Sequence, residues 1–243
     1  MKLEIKNLTK KFKNFLAVDN INFTLPKNKT IGLLGPNGFG KTTSIGMMLG
    51  LIKPTAGNIL IDGNDINKSN KENILNSMNF ASPYIELPKK LTVKQNLTVY
   101  GKLYSVKNLS ERIEYLAHKL RLDEFLNNIT GELSSGQKNR VSLAKSLIND
   151  PTILLLDEPT ASLDPETGDF IRTFLENYKK EKKISILLAS HNMNEVKRLC
   201  SSILMMKNGT IIDQGSPEEL INKHGRKNLE EVFLKLARSQ NEF

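Results

Sequence analysis

Gly35-Pro36-Asn37-Gly38-Phe39-Gly40-Lys41-Thr42 has the spacing G-x-x-x-x-G-K-S/T. That residue set suits phosphate. Glycine permits backbone angles at which successive N–H groups converge on one anion, and a helix opening at the end of the loop adds its partial positive charge. Lys41 would bridge the β- and γ-phosphates of a nucleotide, and the Thr42 hydroxyl would ligate Mg²⁺. Gly35 through Thr42, with Thr43 beside them, are the candidate nucleotide-binding residues.

A second group lies far along the chain. Ile153-Leu154-Leu155-Leu156-Asp157-Glu158-Pro159 runs four apolar residues directly into two acids. Open α/β sheets bind their ligands at the carboxyl ends of buried strands. An Asp in that place holds Mg²⁺ in phosphoryl transfer. Glu158 is then available to orient or deprotonate an attacking water. Paired acids beside a phosphate point to hydrolysis more than to transfer onto a second substrate. A third group, Leu133-Ser134-Ser135-Gly136-Gln137, stands about 20 residues before Asp157 and opens a helical pattern. By itself it reads as a helix cap.

These groups need elements to hold them. Leu3 to Leu8 alternates with period two, Asn20 to Leu25 does the same, and Thr30 to Leu34 is a short apolar run entering the glycine loop. All three read as strands. The loop leads into a helix over Thr42–Leu51, and Asn58 to Ile61 is a further strand. From Thr92 to about Asn149 the pattern is helical, with Ser110 the expected N-cap of one helix and Ser135 to Asn149 forming another. Ile153–Leu156 and Ile184–Ala189 are buried strands around a Glu166–Lys180 helix, and Asn208-Gly209 turns a hairpin. Strand–helix alternation with apolar strands predicts a parallel sheet covered on both faces. The expectation is an α/β P-loop NTPase core of residues 1–83 and 151–215, mostly parallel with an antiparallel N-terminal portion. A helical subdomain, 84–150, is inserted in it, and 216–243 forms a helical tail.

The composition agrees with one globular domain. The 243 residues are 39 % hydrophobic and 25 % charged, and 35 Lys and Arg against 26 Asp and Glu leave a net charge of +9. Such a charge suits nucleic acid, an anionic membrane surface or small anionic ligands. There is no Lys/Arg block of five or more and no basic stripe interleaved with aromatics, so no nucleic acid is expected. No apolar run reaches the roughly 18 residues that cross a bilayer. The N-terminus alternates charge with apolar residues, which is not the pattern of a signal peptide. The single Cys200 has no internal disulfide partner, which fits a reducing cytosol.

In this order the motifs resemble those of the ATP-binding subunit of ABC transporters. The likeness covers nearly the whole chain: the phosphate loop at Gly35–Thr42, the signature at Leu133–Gln137, the carboxylate strand at Ile153–Pro159, the loop Ala161-Ser162-Leu163-Asp164, and His191 after a buried strand. The resemblance implies two such subunits facing head to tail, as a homodimer or a heterodimer. Ser134, Ser135, Gly136 and Gln137 of one would then meet the γ-phosphate held by the other. It implies that His191 contacts that phosphate, that Asp164 couples the two sites, and that Phe12 stacks on adenine. The catalytic residues are then Lys41, Glu158 and His191, and the metal ligands Thr42 and Asp157. The cofactors are ATP and Mg²⁺, the partner is an integral membrane permease, and the place is the cytoplasmic face of the membrane. The run Gly215 to Leu220, followed by Leu229 to Leu234, resembles subunits that serve exporters.

The chain also departs from the family. Ser135 stands for a commoner glycine, and Phe39 for a small residue that must then turn its ring away from the phosphates. The family's glutamine before the helical lobe is missing; counting back from Leu91-Thr92-Val93 gives Pro83, with Ser82 beside it. A soluble ABC-type switch acting on nucleic acid or ribosomes is the alternative. The DNA-repair kind needs a longer insertion and the translation kind needs two cassettes. A P-loop kinase would leave the signature without a role.

Overall fold

The computed structural model describes residues 1–67, 71–83 and 86–238. The chain begins with β1 (Leu3–Phe12), β2 (Phe15–Leu25), β3 (Thr30–Leu34), α1 (Lys41–Met48), β4 (Ala56–Ile61), β5 (Asn64–Asp65) and α2 (Lys71–Leu75). Then come β6 (Met78–Ala81), α3 (Val93–Leu103), α4 (Leu109–Leu120), α5 (Ser135–Leu147), β7 (Ile153–Asp157) and α6 (Pro165–Lys182). The last elements are β8 (Ser185–Ala189), α7 (Met193–Leu199), β9 (Ser202–Lys207), β10 (Thr210–Gly215), α8 (Pro217–His224) and α9 (Leu229–Arg238). Two compact units result: Met1–Leu75 joined with Ser185–Phe243, and Asn76–Ile184. The stretch 84–150 falls wholly inside the second, together with β6, β7 and α6.

The first unit holds an antiparallel sheet in the order β2-β1-β4-β5. It also holds β3, which runs parallel to both β8 and β9, while β9 and β10 form an antiparallel hairpin. All five residues of β3 and of β8 are buried. That explains their unbroken apolar runs, since strands covered on both faces show no alternation. β1 runs four residues beyond the expected Leu8, to a two-residue turn at Lys13-Asn14. The sequence hides this because the register shifts between Ile5 and Leu8 and again between Leu8 and Lys10, with Asn7 at φ +50°. A bulge resets which residues face inward, so the period-two pattern is lost beyond it. The Asn208-Gly209 hairpin forms as expected, both residues having positive φ (47° and 80°).

In this unit Asp213 of β10 fastens α8. Lys223 Nζ donates to one carboxylate oxygen at 2.6 Å and His224 Nε2 lies 2.7 Å from the other. Burial pushes the Asp213 carboxyl pKa up, but the bonds from Lys223, His224 and the Gln214 N–H outweigh it and hold the group below the usual carboxylate range. A carboxyl whose folded pKa is depressed stabilises the fold above its unfolded pKa. That contribution is lost as pH falls through the folded value. Asp213→Asn is therefore expected to melt several degrees below the wild type at neutral pH, with the gap closing below about pH 4. Calorimetric scans at both pH values test this; a gap independent of pH would remove the charge from the explanation.

In the second unit β6 and β7 are parallel partners. α3, α4 and α5 pack against one another, and α5 also lies on β6. Leu97, Ile113, Leu116, Val141 and Leu147 are buried there. α4 starts at Leu109, not after a Ser110 cap; its N-cap is Asn108 in the left-handed region at φ 51°. The cause is packing. A Cβ placed on Gly101 of α3 would lie 2.1 Å from Leu109 Cδ1, so Leu109 fills the notch that Gly101 leaves and is drawn into the first turn. Asparagine tolerates the left-handed turn that this requires.

Candidate functional site

The first unit carries the glycine loop. β3 delivers the chain to Gly35, and α1 departs at Lys41. Two glycines have no substitute here. A Cβ on Gly35 would lie 2.6 Å from the Met206 carbonyl oxygen, and one on Gly40, at φ +93°, would lie 2.5 Å from the Ala17 carbonyl oxygen. The loop is thus pressed on β2 and β9 by its backbone, which leaves its outer side open: nothing lies within 4 Å of a Cβ built on Gly38. Asn37, Gly38 and Thr42 are exposed, Pro36 and Thr43 half-buried. Lys41 is buried, and its ammonium donates to the carbonyl oxygens of Gly35 and, at 3.1 Å, of Pro36. A cation therefore sits within the loop, next to a helix N-terminus whose first turn has no acidic residue. Both features favour an anion with several oxygens. Phe39 is half-buried and lines a small apolar void in the body of the unit.

Phe12 ends β1 and is 44 % exposed, so it is not a core residue. Lys10 Nζ lies 4.8 Å from its ring centroid and also donates to the Lys53 carbonyl at 2.8 Å. An exposed ring held by a cation offers a flat surface for a base. His191 follows β8 and is exposed. The turn that presents it is built by residues that the sequence gives no reason to single out. Buried Ser190 and Glu195 share a 2.6 Å hydrogen bond, the Asn192 N–H donates to Ser190 Oγ, and Asn192 Oδ1 caps α7 at Asn194 and Glu195.

The second unit carries the carboxylates and the signature. β7 is buried throughout and ends at Asp157; Asp157 and Glu158 are each 7 % exposed. Glu158 has φ +54°, a left-handed conformation that costs a non-glycine residue about 1–3 kcal/mol and clusters at functional sites. Asn139 of α5 donates to the Pro159 carbonyl at 2.7 Å, so the signature helix and the carboxylate loop are tied together. Ser134 is the N-cap of α5 in a reciprocal capping box. Its hydroxyl accepts from Gln137 N–H at 3.2 Å and its own N–H donates to Gln137 Oε1 at 2.9 Å. Each side chain accepts from the other residue's backbone N–H; the helix end presents outward the exposed Ser134 and Ser135 and the backbone at Gly136, again with no acidic residue in the first turn. Asp164 caps α6, accepting from the Thr167 N–H at 2.9 Å. The Thr167 hydrogen bonds, backbone first, hold its carboxyl below its ordinary range. A cavity of about 340 Å³ lies beside these elements, walled by Pro83, Leu87, Ser135, Lys138, Ser142 and Leu163 among others. Ser82, next to the position of the missing glutamine, is buried directly after β6.

Thr42 in the first unit offers a hydroxyl and Asp157 in the second a carboxylate oxygen, each a hard donor of the kind that Mg²⁺ takes. No group of three or more His, Cys, Asp and Glu residues suited to a metal occurs among the described residues.

Residues 18–161 match the family model described as ABC transporter. The chain is 35 % identical over 225 residues to the ABC transporter ATP-binding protein NatA of Bacillus subtilis (strain 168), covering 91 % of each. It is 34 % identical to the Nod factor export ATP-binding protein I of Rhizobium sp. (strain N33), over 95 % of this chain and 76 % of that protein. Other relatives are named for import. Among solved structures it is similar to the dimeric ATP-binding cassette MJ0796 in a post-hydrolysis state with ADP and Pi. There the TM-score is 0.81 and the identity 26 %, over 88 % of this chain and 98 % of that one. The α/β architecture is that of the P-loop NTPases. No described helix is long and apolar enough to cross a membrane.

Proposed function

The chain belongs to the ABC transporter family, whose ATP-binding subunits hydrolyse ATP, and from that premise we propose that it drives a separate transmembrane permease, of the export type, by Mg·ATP-dependent closure of a pair of ATPase subunits. The observation that supports this best is the division of labour between its elements. One chain has one cationic glycine loop and one exposed, acid-free signature helix end, each suited to a different side of a phosphate. Two chains facing head to tail complete each other's sites. The pair is two copies of this chain or this chain with a relative.

In the closed pair, Phe12 stacks on adenine while the Gly35–Gly40 backbone and Lys41 hold the phosphates. Thr43 lies beside them in the first turn of α1. Thr42 and Asp157 would hold Mg²⁺, which would supply positive charge to offset that of the phosphates. Ser134, Ser135 and the Gly136 N–H of the opposite subunit close over the γ-phosphate, with Gln137 keeping that helix end in shape. Glu158 takes a proton from the attacking water as its oxygen bonds to phosphorus and ADP leaves. His191 orients the γ-phosphate, and Asp164 at the start of α6 links the two sites. The export direction draws on the C-terminal resemblance and on the exporter among the relatives. The position is peripheral, on the cytoplasmic face of the membrane.

Affinity purification of the tagged chain from detergent-solubilised membranes tests the partnership. The expected result is one integral membrane protein in a fixed ratio. Recovery only in the soluble fraction, bound to RNA or ribosomes in a salt-sensitive way, would replace this reading with the nucleic-acid switch.

A further inference from the structure

Phe39 occupies a loop position where bulk facing the ligand would obstruct it, and its neighbours lie on the other side. It lines a void of about 10 Å³ together with Leu34, Met206, Ile212, Phe233 and Leu236. A void of that size is at the lower limit for holding one water molecule, so these side chains wall one narrow apolar gap. Phe233 and Leu236 belong to α9, and with the buried Leu229 and Val232 they form its i, i+3, i+4, i+7 face. The void is thus shared between the glycine loop and the C-terminal helix.

A second contact holds α9 in the same place. Lys207, buried at the end of β9, donates its ammonium to the Leu236 carbonyl in the last turn of α9. A cation at that end also complements the helix dipole. The residue before it, Met206, is the one whose carbonyl stands against Gly35. The loop is therefore braced by backbone on β9 and by an aromatic ring on α9.

We propose that Phe39 is a positioning residue that rests the phosphate-binding loop on the apolar face of α9, so that the docked C-terminal helix sets the chain's affinity for the phosphate end of a nucleotide. The proposal rests on the reading of Gly35–Thr42 as the phosphate site. Its consequence is that whatever lifts α9 off the loop weakens nucleotide binding without touching a ligand contact.

Titration calorimetry on the full chain tests it, with Mg·ATP and Mg·tripolyphosphate as the two probes, well below the melting temperature. Phe39→Ser and Phe233→Ala are each expected to weaken both probes by the same factor, about tenfold, which corresponds to about 1.4 kcal/mol. The double variant is expected to be no weaker than the worse single one, because both open the same void. Phe39→Leu keeps an apolar anchor and is expected to stay within about twofold of the wild type. Leu236→Ala serves in place of any variant that does not fold. Three results would overturn the proposal while leaving ATP binding in place: wild-type affinity in Phe233→Ala, loss of ATP affinity with tripolyphosphate unchanged, or effects of the two singles that multiply. A wild-type chain that binds neither probe would instead remove the phosphate-site reading itself.

Discussion

Replacing Glu158 by Gln is expected to lower kcat for ATP hydrolysis by about 10²–10⁴-fold, the range in which a positioned general base acts, with Mg·ATP affinity within about twofold of the wild type. The substitution keeps size and shape and removes only the ability to take a proton. Glu158 stands where that loss matters. It is 7 % exposed, follows a strand with no exposed residue, and holds φ +54°. A residue that is nearly buried and kept in an unfavourable backbone conformation is aimed by its surroundings. The Asn139 bond to the Pro159 carbonyl holds the chain directly after it. Glutamine fits the same place and leaves untouched the neighbouring Asp157, the proposed Mg²⁺ ligand. With binding intact and cleavage blocked, the pair is expected to accumulate in its closed, ATP-bound form, seen as an ATP-dependent dimer by size-exclusion chromatography with light scattering. Turnover at the wild-type rate in Glu158→Gln would remove Glu158 as the base.

The same bond shows where reading the sequence stops. The phosphate loop is legible because its requirements are local: Gly40 needs positive φ, Gly35 needs room beside a carbonyl, and Lys41 and Thr42 must follow at once. The carboxylate strand is legible because four apolar residues lead straight into two acids. Asn139 carries no such mark. Its partner is twenty residues away, and an Asn inside a helix reads the same whether its amide meets solvent or a buried carbonyl. Ser190 and Glu195 are equally silent, although their bond shapes the turn that bears His191. The Ser110 cap fails for a related reason: serine is a good cap, but the start of α4 is decided by Leu109 entering the space above Gly101. Local propensity gives way wherever a contact distant in sequence fixes the first turn. For Ser134 the sequence places the residue correctly at the head of α5. The structure adds that its hydroxyl oxygen accepts from the Gln137 N–H, which orients the side chain and leaves the O–H able to donate outward.

The net charge of +9 says little about binding until particular cations are placed. Lys10 stands over Phe12, Lys207 anchors α9, and Lys41 lies in the loop. Of these, Lys41 is the one whose removal is expected to abolish working affinity for ATP. Its ammonium is held inside the loop by the Gly35 and Pro36 carbonyls, so the charge is already in position before any phosphate arrives. A preplaced cation spares the ordering cost that a flexible surface lysine incurs on binding. Charge-assisted hydrogen bonds contribute roughly 1.5–3 kcal/mol each. The loss of one or two to phosphate oxygens corresponds to a Kd for Mg·ATP raised about 100-fold in Lys41→Ala. The variant also leaves two loop carbonyls without this donor, so its fold is checked by circular dichroism and Lys41→Arg is measured beside it. Arginine restores the charge but not the compact ammonium that the two carbonyls surround, and partial recovery is expected. Unchanged ATP affinity in a folded Lys41→Ala protein would sink the assignment of Gly35–Thr42 as the phosphate cradle, and with it the sharing of sites between two subunits that depends on it.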